Sequence, residues 1–200
     1  QAAVGDGSGD IEVAFPHPGL PAERSAPELN GRERDPEFLR ELARWGERMN
    51  LVGSTDSVAM SRHVDDALAA VPHLLQGLSV VDLGSGAGFP GLPIAIARRD
   101  RRVILVEIRE KRVTFLRHVV RTLELDVEVR RESIAAAPSN GYDVALIRAV
   151  AAPERSIELA RPWVRDAGEI WVWAGPGVDL PGTRPIALAS GGVILRVLRG

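Results

Sequence analysis

Three glycines at alternate positions after a short apolar run constrain this chain more than any other feature. Val80-Val81-Asp82-Leu83 leads into Gly84-Ser85-Gly86-Ala87-Gly88-Phe89-Pro90-Gly91, and an apolar helix-like segment follows. Glycine has no Cβ and tolerates positive φ, so backbone amides in such a turn can approach a ligand at the mouth of a parallel sheet. An ordinary tight turn is the competing reading, but spaced glycines weaken a structure unless the backbone comes close to something. A dinucleotide fingerprint would place glycine where Phe89 stands, which counts against a nicotinamide enzyme.

A second apolar run, Val103-Ile104-Leu105-Val106, ends in Glu107 at the distance expected for the next strand of a βαβ unit. An acid there can accept hydrogen bonds from both hydroxyls of a ribose; the alternative is a solvated glutamate at a strand end. Asp82 with Gly84, Gly86 and Gly88 matches the D-x-G-x-G-x-G pattern of S-adenosylmethionine-dependent methyltransferases.

The rest of the chain alternates strand and helix, which predicts an α/β fold built on a parallel sheet with helices on both faces. Strands are expected near 79–83, 103–107, 126–130, 142–147 and 169–173, and helices near 89–98, 110–123 and 153–164, the last opened by Pro153 and closed by Gly168. Segment 132–141 is too short for a full crossover helix and is expected to make a turn or two over the ligand edge. Arg184 to Leu188 and Gly192 to Leu198 predict a terminal hairpin. Ahead of the sheet, Phe38, Leu39, Leu42, Trp45, Met49 and Leu51 gather on one face of a helix entered at Pro36, and a second helix is expected over 57–75. The division is therefore a lead-in arm over 1–35, a helical cap over 36–76 and a core domain over 77–200. The arm is rich in Gly, Pro, Ala and acids without apolar periodicity.

Two hundred residues suit one α/β domain with an extension. No apolar run has membrane-span length and no secretory leader is visible, so a cytoplasmic chain is expected. With no cysteine, thiolate chemistry and cysteine-ligated zinc are excluded, and the four histidines show no metal-ligand spacing, so no metal is expected. The formal charge of -2 argues against bulk electrostatic binding of nucleic acid. Arginines nevertheless cluster around the second and third strands: Arg98, Arg99, Arg101 and Arg102, then Arg109, Arg112, Arg117 and Arg121 with Lys111, then Arg130 and Arg131. That cluster reads equally as a seat for a phosphate backbone or as a solvated face.

These residues resemble the RsmG (GidB) family of bacterial 16S ribosomal RNA guanine-N7 methyltransferases, from about Phe38 to the C-terminus. In the cap, Trp45 followed by Met49-Asn50-Leu51 resembles the family's W-x-x-x-x-N-L, and Arg62-His63-Val64-Asp65-Asp66-Ala67-Leu68 its R-H-x-x-D-S-L. In the core, Gly84 to Pro93 resembles G-x-G-A-G-x-P-G-x-P, Lys111-Arg112-Val113 with Phe115-Leu116 resembles K-R-x-x-F-L, and Arg148-Ala149-Val150-Ala151 resembles R-A-V-A. The resemblance implies a Rossmann-like class I S-adenosylmethionine-dependent methyltransferase fold, with a seven-stranded, mostly parallel sheet ending in an antiparallel hairpin. It implies 16S ribosomal RNA as partner, free or within the small subunit. It also implies that Gly84 and Phe89 line the cofactor site, Glu107 holds the ribose, Ser133 and Ile134 lie beside the adenine, and Arg148 stands near the methionine end or the acceptor. Ala67, Ile134 and Ala174 depart from the family pattern, where serine, an acid and lysine are usual.

The chemistry implied needs no catalytic base, because guanine N7 carries an available lone pair at neutral pH. Arg148 is then a positioning group, set at the carboxyl end of an apolar strand where ligands bind in open α/β sheets. His63 and Asp66 read best as a pair fixing one helix to the sheet, with substrate positioning as the alternative. Trp171 and Trp173 read as core or pocket wall, and Trp163 as helix-to-sheet packing. Two other functions remain open: a methyltransferase of the same fold acting on a small molecule or protein, and a non-catalytic RNA-binding module.

Overall fold

The computed structural model describes residues 36–49 and 57–200, so the arm over 1–35 and the Asn50-Leu51 part of the cap motif lie outside the described residues. Seven strands form one sheet in the order β3-β2-β1-β4-β5-β7-β6. They are β1 (Val80–Leu83), β2 (Val103–Glu107), β3 (Val127–Arg131), β4 (Tyr142–Arg148), β5 (Val164–Ala174), β6 (Arg184–Ala187) and β7 (Val193–Leu198). The first five run parallel, while β7 pairs antiparallel with both β5 and β6. Every residue of β1 and β2 is buried, as expected of parallel strands covered on both faces. Because β1 lies between β2 and β4, the connections leave it in opposite directions and open a crevice at its carboxyl end.

Alternate side chains feed two cores. Val80, Leu105, Leu146 and Trp171 join the cluster made with α1 (Pro36–Met49), α2 (Ser57–Leu68), α3 (Gly91–Ala97) and α4 (Glu110–Thr122). Val81, Ile104, Ile147 and Val172 join the other cluster, with α5 (Pro153–Ala160) and Trp163. The two faces are unequal because residues 132–141 cross from β3 to β4 in turns, without a helix. Cap and sheet share the larger core: Phe38 meets Phe89 edge-on at 5.6 Å, and Trp45 lies 5.7 Å from Phe115.

Several boundaries shift by a residue or two, β5 begins five residues earlier than expected, and three further readings differ, two of them at prolines. Helix α2 stops at Leu68, and Pro72, which lacks an N–H, falls in a separate 3-10 turn, Val71–His73. Helix α5 stops at Ala160 before a second such turn, Arg161–Trp163, that contains Pro162. Gly168 closes no helix. It lies inside β5, opposite an irregularity between Tyr142 and Val144, where a Cβ would come within 2.7 Å of the Asp143 carbonyl oxygen.

The arginine cluster divides in the fold. Arg98 and Arg101 are buried and donate to the Leu74 carbonyl, and Arg102 and Arg130 pair with Glu128. Residues 98–102 precede β2, whereas Arg109, Lys111, Arg112 and Arg131 lie at its carboxyl end or that of β3. The cluster is therefore not one continuous face, and part of it holds loops to the sheet.

Away from the crevice, buried Glu169 accepts from Trp171 Nε1 at 2.7 Å, from Arg196 Nε at 3.0 Å and from Arg184, joining β5, β7 and β6. Glu169→Ala strands these donors and is expected to destabilise the chain by about 3 kcal/mol, read as a lower urea midpoint at unchanged slope. A loss under about 0.5 kcal/mol would assign the network no role in stability.

Candidate functional site

The turn after β1 is held to the next strand by its own backbone. Gly84 and Ser85 donate to the Val106 carbonyl at 2.8 and 3.0 Å, and the Gly86 N–H donates to Glu107 Oε2 at 3.0 Å. Glu107 Oε1 accepts the Arg109 N–H at 2.8 Å, so each carboxylate oxygen is fixed by one backbone donor. A carboxylate offers about four acceptor positions, which leaves two for a ligand. The Arg112 guanidinium comes within 3.7 Å of the same carboxylate.

Asp82, in β1, turns back under the turn and accepts the Gly91 N–H through Oδ2 at 3.1 Å, while its Oδ1 is buried without a partner. Gly91 must be small for this, since a Cβ would lie 2.6 Å from Asp82 Oδ2. Burial pushes the Asp82 carboxyl up to about 7, against the pull of the nearby Ser85 hydroxyl, the Gly91 N–H and the Arg148 guanidinium.

Residues 132–141 close the other side. A Cβ on Gly84 would lie 2.7 Å from Val150 Cγ2 and 3.5 Å from Ile134 Cδ1, so both side chains stand over the turn. Trp163 fixes this loop by donating Nε1–H to the Ile134 carbonyl at 2.6 Å while its ring stacks on Tyr142. Ser133 Oγ accepts the Ala135 N–H at 3.2 Å.

Arg148 ends β4 and is followed by Ala149 at φ 54, which redirects the chain. Its Nη2 donates to His63 Nδ1 at 2.6 Å and lies 3.7 Å from Asp66 Oδ2, while Nη1 is buried without a partner. The donor is a guanidinium, so His63 carries its proton on Nε2. Burial and then Arg148 hold the His63 pKa below its ordinary value, with Asp66 opposing. Helix α2 is tied down again where Trp173 Nε1 donates to the Asp66 carbonyl at 2.9 Å. Between α2, the ends of β4 and β5 and the β6–β7 turn lies an open cleft of about 340 Å³, lined by Asp66, Arg148, Trp173 and Ala174 among others.

The structure thus gathers Asp82, Gly84, Gly86, Gly88, Glu107, Ile134 and Arg148 around one crevice. Phe89 is 8% exposed and packs between Phe38, the His63 ring at 5.5 Å and the Arg148 guanidinium at 6.0 Å. His63 and Asp66 both engage Arg148, so they fix α2 to β4 through it and not simply through each other. The sequence motifs give Arg112 and Val150 no separate role, and Trp163 only one in packing. The spacing of three from His63 singles out Asp66, which is buried, from the half-buried Asp65 beside it.

Residues 34–177 match the family model GidB, described as rRNA small subunit methyltransferase G. The Ribosomal RNA small subunit methyltransferase G of Mycobacterium leprae (strain TN) is 41% identical over 157 residues, covering 76% of this chain and 63% of that protein. The protein of the same name from Desulfotalea psychrophila is 43% identical over 111 residues, 54% of this chain and 51% of the relative. The chain therefore spans between half and two thirds of the length of these two relatives. Among solved structures, a SAM-dependent methyltransferase from Aquifex aeolicus aligns with a TM-score of 0.59 at 15% identity, covering 83% of this chain and 99% of that one. A mutant of MtNAS in complex with S-adenosylmethionine aligns at 0.56 with 20% identity, over 81% and 72%. At such identities these two structures speak for the Rossmann-like methyltransferase fold alone.

Proposed function

Because the chain belongs to the GidB family, rRNA small subunit methyltransferase G, we propose that it methylates N7 of one guanine in 16S ribosomal RNA, using S-adenosylmethionine. The observation that carries the reading is the concentration of unsatisfied polarity at one crevice. Of the four buried side-chain atoms without a partner among the described residues, three belong to Asp82 under the glycine turn and to Asp66 and Arg148 in the adjoining cleft. Buried polar groups left so are expensive unless a ligand completes them.

The residues present fit the cofactor. Glu107 retains two acceptor positions for ribose hydroxyls, Ser133 and Ile134 would flank the adenine, and Gly84, Gly86, Gly88 and Phe89 would shape the turn beneath it. Asp82 would meet the charged methionine end, while Arg148 would stand between that end and the acceptor. When bound, the cofactor supplies a methyl on a cationic sulfur, which the N7 lone pair takes while the sulfur keeps the electron pair of the broken bond. No proton has to leave N7, so no residue need serve as base. The chain's work is to hold the acceptor in line and exclude water, which is worth several kcal/mol through orientation alone. We assign residues 36–76 as the cap over the acceptor side of the 77–200 domain, and the cytoplasm as the place of action. No helix among the described residues is long and apolar enough to cross a membrane.

The test is transfer of labelled methyl to 16S RNA, supplied free and as small subunits from cells lacking the modification, with the product base identified by mass. N7-methylguanine at one site is expected. Ala174, which lines the cleft and departs from the lysine that the family resemblance implies there, favours a second reading in which the acceptor is a small molecule or protein. Cofactor binding without transfer to RNA would establish that alternative, and RNA affinity without cofactor affinity would leave a non-catalytic RNA-binding module.

Asp82 makes cofactor affinity pH-dependent. Its carboxyl is raised from 3.8 to about 7, so between those values the folded chain holds a proton that the unfolded chain has lost. Folding stability contributed by this group is therefore full below the lower value, falls as pH rises and levels off above about 7. A cationic ligand favours the carboxylate, so affinity is expected to rise as pH goes from about 6 to about 8. Asp82→Asn, whose amide oxygen can still accept the Gly91 N–H, is expected to flatten both profiles. Calorimetric titration at several pH values checks this, and an unchanged slope in the variant would refute it.

A further inference from the structure

We infer that Asp66 and Arg148 read the acceptor base in the cleft, selecting guanine by its O6 and N1–H positions. The inference rests on the methyltransferase reading and extends it to specificity. Two atoms of this pair are already engaged: Arg148 Nη2 is held by His63 Nδ1 at 2.6 Å and approaches Asp66 Oδ2 at 3.7 Å. Two are not, Arg148 Nη1 and Asp66 Oδ1, both buried without a partner. Asp66 is 7% exposed, yet both residues line the 340 Å³ cleft beside Trp173. The wall therefore carries one unsatisfied donor and one unsatisfied acceptor on side chains that are already in contact.

Guanine presents the complement on adjacent atoms, an acceptor at O6 and a donor at N1–H. Adenine inverts both, with an amino donor at N6 and a lone pair at N1, so each contact becomes a clash of like with like. Uracil offers the same pattern as guanine but has no N7 to methylate. Because O6 and N1–H belong to the Watson–Crick edge, only an unpaired or extruded guanine can be read in this way. The pair also favours the reaction. As the bond from N7 to the methyl carbon forms, positive charge enters the purine and N1–H becomes a stronger donor, so its hydrogen bond to the Asp66 carboxylate strengthens along the reaction coordinate.

The test uses the whole chain and 16S RNA in which the methylated guanosine, once mapped, is replaced by ligation with inosine, 1-methylguanosine or adenosine. Inosine keeps O6, N1–H and N7, and kcat/KM within about 3-fold of guanosine is expected; 1-methylguanosine and adenosine should fall by about 100-fold or more. Asp66→Ala should lose about 100-fold on guanosine, shared between kcat and KM, while its penalty for 1-methylguanosine shrinks to within about 3-fold and its cofactor affinity stays within about 2-fold of the parent. Should Asp66→Ala fail to fold, the analogue series with the unaltered chain decides alone. Full activity on guanosine and 1-methylguanosine alike overturns the base-reading pair and leaves the methyltransferase reading intact. No transfer even to unsubstituted RNA overturns both.

Discussion

Arg148→Ala is expected to lower kcat/KM for methyl transfer by about 10³-fold, or about 4 kcal/mol, with the chain still folded. The size follows from where the guanidinium stands. It contacts His63 and Asp66, lies over the Phe89 ring, and contributes an unsatisfied donor to the crevice. Removing it costs an orientation contact and leaves the Asp66 carboxylate facing the cleft without its counter-charge. The fold should bear the change, because Trp173 still holds the Asp66 backbone and water from the open cleft can reach the carboxylate. A stability loss of about 1–2 kcal/mol is expected. Two controls separate orientation from collapse. Arg148 depresses the His63 pKa, so in the variant His63 should titrate at higher pH, visible by NMR in a folded protein. Arg148→Lys restores charge but not a planar fork able to serve His63 and the cleft together, and should recover only about 10-fold. Turnover near that of the parent in Arg148→Ala would return this residue to a purely structural part.

What was legible in the sequence was what local pattern determines. Strand β2 has the bounds read from Val103 to Glu107, because a run buried on both faces between turn residues has few other uses. The terminal hairpin and the turn at 84–91 followed from glycine placement in the same way. The β4–β5 edge was less legible, since Gly168 is required by the approach of the Asp143 carbonyl across the sheet, and a glycine read locally suggests a helix end instead. Arginine was the least legible residue type. Arg98 and Arg102 lie four apart in one basic run, yet the first is buried against backbone carbonyls and the second is solvated beside Glu128. At the crevice, Glu107 and Arg148 stand at the strand ends where they were expected, because strand ends are predictable. The engagement of His63 by Arg148 spans 85 positions, and no local spacing reports such a contact.

The three spaced glycines look equivalent as a motif, and the fold gives each a different reason, which makes substitution there a discriminating experiment. A side chain at Gly88 runs into Leu92 at the start of α3, so enlarging it disturbs the core whatever the ligand. One at Gly84 meets Val150 and Ile134, the two side chains that stand over the turn. At Gly86 the nearest protein atoms to an added Cβ are Arg112 Nη1 at 3.5 Å and the Gly84 carbonyl oxygen at 3.6 Å, both ordinary contacts. The room there is room the protein does not fill. Gly86→Val is therefore expected to weaken S-adenosylmethionine binding by about 100-fold or more, equivalent to about 2.7 kcal/mol. The same change should cost only modest stability. Its φ of 55 strains a non-glycine residue by about 1–2 kcal/mol, which for a chain of this size lowers Tm by roughly 2–8 °C. Gly88→Val should instead unfold the chain before affinity can be read. Calorimetric titration beside thermal unfolding distinguishes the two, and unchanged affinity in folded Gly86→Val would place the ligand elsewhere than over this turn.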